Sequence, residues 1–582
     1  MKKKLDALDL RENALLSIRF LENSINVKRN YMPYFRINFR VTPPRFEHVV
    51  HFDDPENIAR WYYGFTCAQM VSGTRKGERL RQGLEREIAR RLAGPYGFMY
   101  TSNQTARFCP DIKEPYTWLW GDRSALQAWV LEYMRATDAK ARGRYAKWIR
   151  NMVGGLQEFS VRIGKYVLFP AYKPRLSYKK PPRWKLPKDA EGILKDMQSF
   201  DQGKAEHLQQ HLMPPSDSFG GMIFPLVQWY EASGDKRALD LAVGISNSVV
   251  DFYTASDNKL NPVGCMSNNH GTLNSMAGVL AAARHVPNRR HVSWARMLFE
   301  FYRSRCGSSF GWVMENESVD PQRPLERPSC EGCAAIDFVS VGIELAKAGF
   351  LECWDIVERS ARNYLTKAQP KHIGPISLKG VALNLTGEDR RYDHVPPELY
   401  DDRDIARRAV GCMAGWGTPN DVLDPRGKGA MCVQNCCSSH LPFGLYRLWE
   451  HIAVMKEGGL YVNLLLNHAG RWCDVRDYQP GEGRVDIKMK TSAVLYVRMP
   501  EWVENDKVRV KVGNAGADCA WDESKRYVVI KKLERGAKVT VTYPLRRWKV
   551  KELLGGTVYT TDWIGDTVVG INPPGRFIPV FG

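Results

Sequence analysis

The sequence has no uninterrupted apolar run near the roughly 20 residues that a membrane-spanning helix needs. It also lacks the pattern of a secretory leader. Met1-Lys2-Lys3-Lys4 gives a basic start, but Asp6, Asp9, Arg11 and Glu12 interrupt the apolar stretch that should follow. A soluble, cytoplasmic chain with no membrane partner is expected. Acidic residues are in deficit: 84 Lys and Arg face 64 Asp and Glu, for a formal net charge of +20. Such a field favours acidic partners. The basic residues are nevertheless spread along the chain, and no nucleic-acid module of the usual kinds is present. No nucleic-acid partner is expected, and acidic glycans suit the charge better. The thirteen cysteines are odd in number and include a vicinal pair, which fits a reducing compartment.

The 582 residues are too many for one compact domain, and the length alone suggests three or four, fewer if one is a barrel. An apolar share of 44% and a charged share of 25% are those of a globular protein. Seventeen Trp suit a sugar-binding protein and a large core equally. From about Pro55 the pattern is helical, with apolar residues at three- and four-residue spacing in Ile58–Val71 and Leu80–Leu92. A unit of helix, Gly/Asp/Asn turn and helix then recurs around Tyr133–Asp138, Tyr230–Leu239, Ala282–Asn288 and Leu345–Gly349. Short turns make antiparallel neighbours of such helices, and four or more pairs indicate stacked hairpins. An open superhelix and a closed (α/α)6 toroid share this signal. Residues 172–190 are basic and Pro-rich, as an exposed loop would be; residues 370–430 are expected to form a substrate-side loop with short strands.

After Met455 the period changes to two. Val485–Lys490, Val508–Val512, Tyr527–Lys531 and Lys538–Tyr543 alternate between turn residues, which reads as a β-sandwich. The expected organisation is a barrel over 1–455 and a β-sandwich over 456–582. The role of Val558–Gly582 is not legible.

Two cysteine clusters carry the chemistry: Ser329-Cys330-Glu331-Gly332-Cys333-Ala334-Ala335 and Cys432-Val433-Gln434-Asn435-Cys436-Cys437. Thiolates converging with a carboxylate are what Zn²⁺ binds. The plain alternative is buried structural thiols. If Cys333 and Cys436 are to meet, a toroid serves best, because it brings distant helix starts to one central mouth.

Glu331-Gly332-Cys333-Ala334-Ala335, followed by a helix and then Cys436-Cys437, resembles the Glu-x-Cys-Ala-Ala and Cys-Cys motifs of the β-L-arabinofuranosidases of glycoside hydrolase family 127, with relatives in families 142 and 146. The resemblance runs unevenly from about Leu8 to the C-terminus. It implies an (α/α)6 barrel, a Zn²⁺ cofactor held by Glu331, Cys333, Cys436 and Cys437, and Cys436 as the nucleophile. Cys330 and Cys432 are extra to the pattern. The aromatic-rich segment Tyr31–Phe39 resembles the start of the family's barrel; a core-covering loop and a substrate wall are equal readings of it. The family's acid/base Glu stands about sixteen residues before the metal-binding Glu, which gives Glu315, or Glu317 if the intervening segment carries an insertion. Asn268-Asn269-His270-Gly271 matches a His-Gly motif, so His270 and Asn269 are expected to bind substrate. Glu358 matches a Glu that contacts substrate. The family's Gly-His-Gln-Glu is missing before the helix that begins near Phe219-Gly220-Gly221-Met222, so one wall of the sugar pocket differs.

These expectations describe a zinc-dependent retaining glycoside hydrolase acting on a carbohydrate, a plant or microbial glycan fragment. Two rivals stand beside it. One is a non-catalytic glycan-binding or scaffold protein with structural zinc, since a site with four protein ligands is normally closed. The other is an epimerase or lyase on the same toroid. A homodimer stays open.

Overall fold

The computed structural model describes residues 7–49, 56–92, 95–101, 116–117, 119–169, 176–177, 219–253, 269–315, 329–385, 395–426, 429–456, 458–518 and 520–581. Among these residues stand twelve helices of eight residues or more: α1 (Leu10–Asn23), α2 (Ile58–Ser72), α3 (Glu78–Arg91), α4 (Leu119–Arg135), α5 (Ala139–Phe159), α6 (Ile223–Ser233), α7 (Lys236–Tyr253), α8 (Asn269–His285), α9 (Arg289–Phe301), α10 (Gly332–Lys347), α11 (Cys353–Ser360) and α12 (Asn435–His451).

They are of two kinds. α10 buries every residue from Gly332 to Ala346, and α2, α4, α8 and α12 are buried on all sides for most of their length. α5 buries only a stripe, Tyr145, Ala146, Ile149, Met152, Val153 and Leu156, at helical spacing. A helix buried all round belongs inside, and a striped one covers it. Accordingly α2, α4, α6, α8, α10 and α12 pack side by side in that order, and α12 packs back on α2. The striped helices form an outer ring, with α1 lying across α2 and α12. Ring closure selects the (α/α)6 barrel over the open superhelix. The hairpins have local causes. Gly73 and Gly234 end α2 and α6 at φ of 68° and 75°, a left-handed backbone that side chains disfavour. The Asp138 and Asn288 side chains cap the starts of α5 and α9.

The last inner helix ends at His451, and strands follow from Ala453. Two sheets make the β-sandwich. One has five strands, in the order 453–456, 459–462, 493–498, 527–533, 520–521; the other has six, 468–469, 473–477, 484–489, 538–542, 509–512, 515–517. Val485, Ile487, Leu495, Val497, Val528, Val539 and Val541 point inward, as period-two patterning requires. Arg547–Leu554, Thr557–Ile564 and Thr567–Asn572 form a separate three-stranded sheet. The unassigned C-terminal stretch thus returns to the barrel: Val568 N–H donates to Asn363, and the N–H groups of Arg576, Phe577 and Ile578 all donate to Asp421.

The segment expected as a substrate-side loop does carry short strands. Trp416–Gly417 pairs with Cys330–Glu331, and Tyr400–Asp401 joins a four-stranded sheet with Arg45–Glu47, Arg36–Asn38 and Cys432–Gln434. The stretch 172–190 lies outside the described residues apart from Leu176–Ser177, which pairs with Tyr116–Thr117. No helix among the described residues is long and apolar enough to cross a membrane.

Candidate active site at one mouth of the barrel

Five of the inner helices deliver a polar or reactive side chain from their first two turns to one place. α2 brings Arg60, α4 Arg123, α8 His270, α10 Cys333 and Asp337, and α12 Cys436 and His440.

The sulfurs of Cys333, Cys436 and Cys437 and a carboxylate oxygen of Glu331 all lie within 4.8 Å of one another. Cys333 Sγ stands 3.5 Å from Cys437 Sγ, and Cys436 Sγ 3.9 Å from it. Sulfurs held ~2.3 Å from a tetrahedral Zn²⁺ stand about 3.8 Å apart, so the spacing fits that ion. Local backbone explains the convergence. Cys333 and Cys436 are each the second residue of a helix, where the helix dipole favours a thiolate. Glu331 occupies the N-cap position of α10 without capping it, so its carboxylate is not tied to the helix amides. A Cβ at Gly332 would meet Ala414 O at 2.3 Å and Cys437 Cβ at 3.2 Å, so only glycine lets the two segments close on each other. The strand Arg36–Asn38 of the aromatic-rich segment pairs with Cys432–Gln434, and Asn435 donates to the Tyr34 and Phe35 carbonyls. That segment therefore anchors the turn into Cys436.

Arg60 is the cation of the cluster. Its Nη1 lies 3.6 Å from Cys333 Sγ and donates to Cys436 O at 3.2 Å, and its Nε faces Glu56 Oε1 at 2.7 Å. Hydrogen bonds from Cys333 and Cys437 lower the Cys436 thiol to about 5, with a further contribution from the Arg60 charge. Burial pushes Cys437 well above the ordinary thiol value. Cys436 keeps 7% of its surface, whereas Cys333 and Cys437 have none. No disulfide joins any of the ten described cysteines. Cys330 is buried and pushed up to about 12, a neutral thiol that donates to Glu331 O, and Cys432 is buried in its strand.

His270 is buried on the same wall. Two guanidiniums, Arg60 Nη2 and Arg123 Nη2, each stand 3.1 Å from its Nε2. Both can only donate, so Nε2 is the acceptor and Nδ1 carries the proton towards Asp337. Burial lowers the His270 pKa, in keeping with the neutral ring. Asp337 also accepts from His440 Nε2 at 3.0 Å and from Asn274 Nδ2 at 3.2 Å. Trp120 meets the His270 ring edge-on at 5.0 Å.

Glu315 is buried beside this wall. Its backbone N–H donates to Ser329 O, which places it against the strand that carries Glu331. Its Oε1 accepts the Asn269 N–H at 2.8 Å, and the Asn269 side chain donates to Met314 O. Asn269 thus ties Glu315 to the start of α8. Glu317 lies outside the described residues.

Glu358, expected to meet substrate, lies outside this assembly. It is fully buried, with Oε1 held by Arg362, one turn on in the barrel, and Oε2 by Arg498 and the Leu465 N–H of the sandwich.

Arg60, Arg123, Asp337 and His440 were not anticipated. The last two had a readable signal: Cys333 and Asp337, and likewise Cys436 and His440, are four apart on a helix, hence on one face. The arginines had none.

No family profile and no curated relative matches the chain. Solved structures do. A GH127 β-L-arabinofuranosidase from Geobacillus stearothermophilus T6 superposes with a TM-score of 0.56 at 13% identity, over 97% of this chain and 85% of that one. A GH127 β-arabinofuranosidase gives 0.57 at 14% identity, over 96% and 78%. A further glycoside hydrolase gives 0.51 at 12%, over 89% and 78%. The chain therefore has the fold of these glycosidases from end to end of its barrel and sandwich.

Proposed function

We propose that the protein is a zinc-dependent retaining glycoside hydrolase in which Cys436 is the nucleophile. The observation that carries this reading is the convergence of Glu331, Cys333, Cys436 and Cys437 at the mouth of a barrel shared with glycosidases. Bound zinc would hold its coordinating thiols as thiolates. Of the three cysteines only Cys436 keeps any exposed surface, as the residue that meets the sugar must. Its sulfur would attack the anomeric carbon and form a C–S bond as the glycosidic C–O bond breaks. A carboxylic acid would protonate the departing oxygen. The resulting carboxylate would then take a proton from water as the water oxygen displaces the sulfur. Glu315 or Glu317 fills that role. The Arg60 hydrogen bond to the Cys436 carbonyl would fix the nucleophile's backbone, and neutral His270, its nitrogens held by Asp337 and the two guanidiniums, would line the wall of the sugar site with Asn269 beside it.

An electrophilic sugar mimic tests the nucleophile. A cyclophellitol-type furanose should label Cys436 selectively, by peptide mapping, while Cys330 and Cys432 stay unlabelled. Labelling of Cys436 by plain iodoacetamide but by no sugar-shaped electrophile would sink the proposal, because it would show an accessible thiolate with no sugar pocket.

A further inference from the structure

Arg123 is a buried cation that the mechanism above leaves without a task. The residue is 5% exposed. Its Nη2 faces the neutral His270 ring, and its guanidinium stacks 3.3 Å over Trp120. Its Nη1 is buried and has no hydrogen-bond partner. Asp337 and Glu56 act on its charge, but the oxygens of Asp337 are taken by His270, His440 and Asn274, and Glu56 faces Arg60. A buried donor left without a partner is costly, so an acceptor placed at Nη1 is favoured.

The surroundings keep this donor free. Arg123 lines a cavity of about 30 Å³ together with Ser124, Gln127, Asn274, Asp337 and His440. That is room for one small group and not for a second sugar ring. A Cβ at Gly221 would stand 2.8 Å from Arg123 Nη1 and 2.7 Å from Asn274 Oδ1. Gly221 thus packs its bare backbone against the guanidinium, and a side chain there would take the space beside Nη1.

We propose that Arg123 is a specificity-determining residue that receives a carboxylate carried by the sugar, so that the substrate is a uronate-type glycoside and not a neutral one. A planar carboxylate is the smallest anionic substituent that a guanidinium binds well. The net charge of +20 draws such glycans to the surface. The inference rests on the hydrolase reading for the place of the sugar, but recognition itself needs no turnover.

Titration calorimetry of the zinc-loaded full chain tests it. The probes are D-galacturonate and D-glucuronate, their neutral parents D-galactose and D-glucose, galactose 6-sulfate, and acetate. At least one uronate should bind about ten-fold or more tightly than its parent, the scale of a charge-assisted hydrogen bond. Arg123→Gln should abolish that preference with zinc content unchanged. Arg123→Lys, which keeps the charge without the fork, should retain part of it, and carries the comparison if the Gln variant does not fold. Equal binding of acid and parent, or a preference that survives Arg123→Gln, overturns the inference. So does acetate competing as well as the uronates, the mark of a plain anion site, or the sulfate ester binding tightest. Uronate preference without hydrolysis of any glycoside would count against the hydrolase reading alone. Hydrolysis of neutral glycosides with no acid preference would count against this inference alone.

Discussion

The molecule holds two buried clusters of charged and polar groups, and they are built in opposite ways. Between α11 and the β-sandwich, Asp355 accepts from Arg498, Arg526 and the Glu501 N–H, and Glu358 accepts from Arg362, Arg498 and the Leu465 N–H. Every oxygen of these two acids has a partner. At the barrel mouth, three sulfurs and a carboxylate crowd together with Arg60 as their close cation, and Arg123 keeps an unused donor. Asp355 and Glu358 are satisfied without any other molecule, although Asp477 Oδ1, beside Arg362, has no partner. The second cluster gathers metal-ligand types at one mouth and keeps the Arg123 donor without a partner. Neither buried charge nor one unfilled bond alone marks a functional site; their coincidence with metal-ligand chemistry at one mouth does.

Four experiments sharpen or break this contrast. The largest effect is expected at the mouth. The wild-type protein should bind about one zinc per chain, and Cys333→Ser with Cys437→Ser should lose it along with much stability, because such sites fold as they bind. Metal analysis beside a thermal melt reads both, and full zinc retention would remove the metal assignment. Next, Glu315→Gln should lower turnover of poor leaving groups by roughly 10²–10⁴-fold and spare activated aryl glycosides, with zinc retained. If Glu317→Gln gives that profile instead, Glu315 is a tie between α8 and the ligand strand and nothing more.

The closed cluster should respond in the other direction. Arg498→Met takes one buried cation from both Asp355 and Glu358 and should cost about 3–5 kcal/mol in chemical denaturation while zinc content holds. A variant that instead sheds zinc at unchanged stability would show that the two clusters are not independent. The smallest effect concerns pH. Burial pushes the Asp477 carboxyl up to about 7, against the opposing pull of Arg362. Its folded value lies above its unfolded value, so its contribution is complete below the ordinary carboxylate range and is lost as pH rises through about 7. Stability should therefore fall between about pH 4 and 7, and Asp477→Asn should flatten that slope in melts taken across the range.

What was legible in the chain follows from the same contrast. Two cysteine motifs a hundred residues apart stand out because thiols are scarce and their spacing is unusual, and periodicity separates helical hairpins from strands. Ring closure is not readable from the hairpins, which look alike in a spiral and in a toroid; the two cysteine clusters, which need to meet, carry that choice. Arg60 and Arg123 cannot be picked out among 84 basic residues; only their burial and partners distinguish them. The partners of Glu358 are equally hidden, because a motif match fixes a position in the chain but not which way a carboxylate faces. The stretch 558–582 resisted reading because its partners, Asn363, Asn420 and Asp421, are distant in sequence.

The ring has a seam. α2 is its first inner helix and α12 its last, and Arg60 of α2 donates to the carbonyl of Cys436 in α12 across the join. A chain that has stacked its hairpins but not yet brought these two together has most of its neighbouring contacts and no centre. Closing so long a span is the entropically demanding step of assembly, since local hairpins form without it. The centre is thus a clasp as well as a site. A cut or a solvent that parts α2 from α12 would silence the protein while the other inner-helix contacts persist, and activity would report whether the circle is shut.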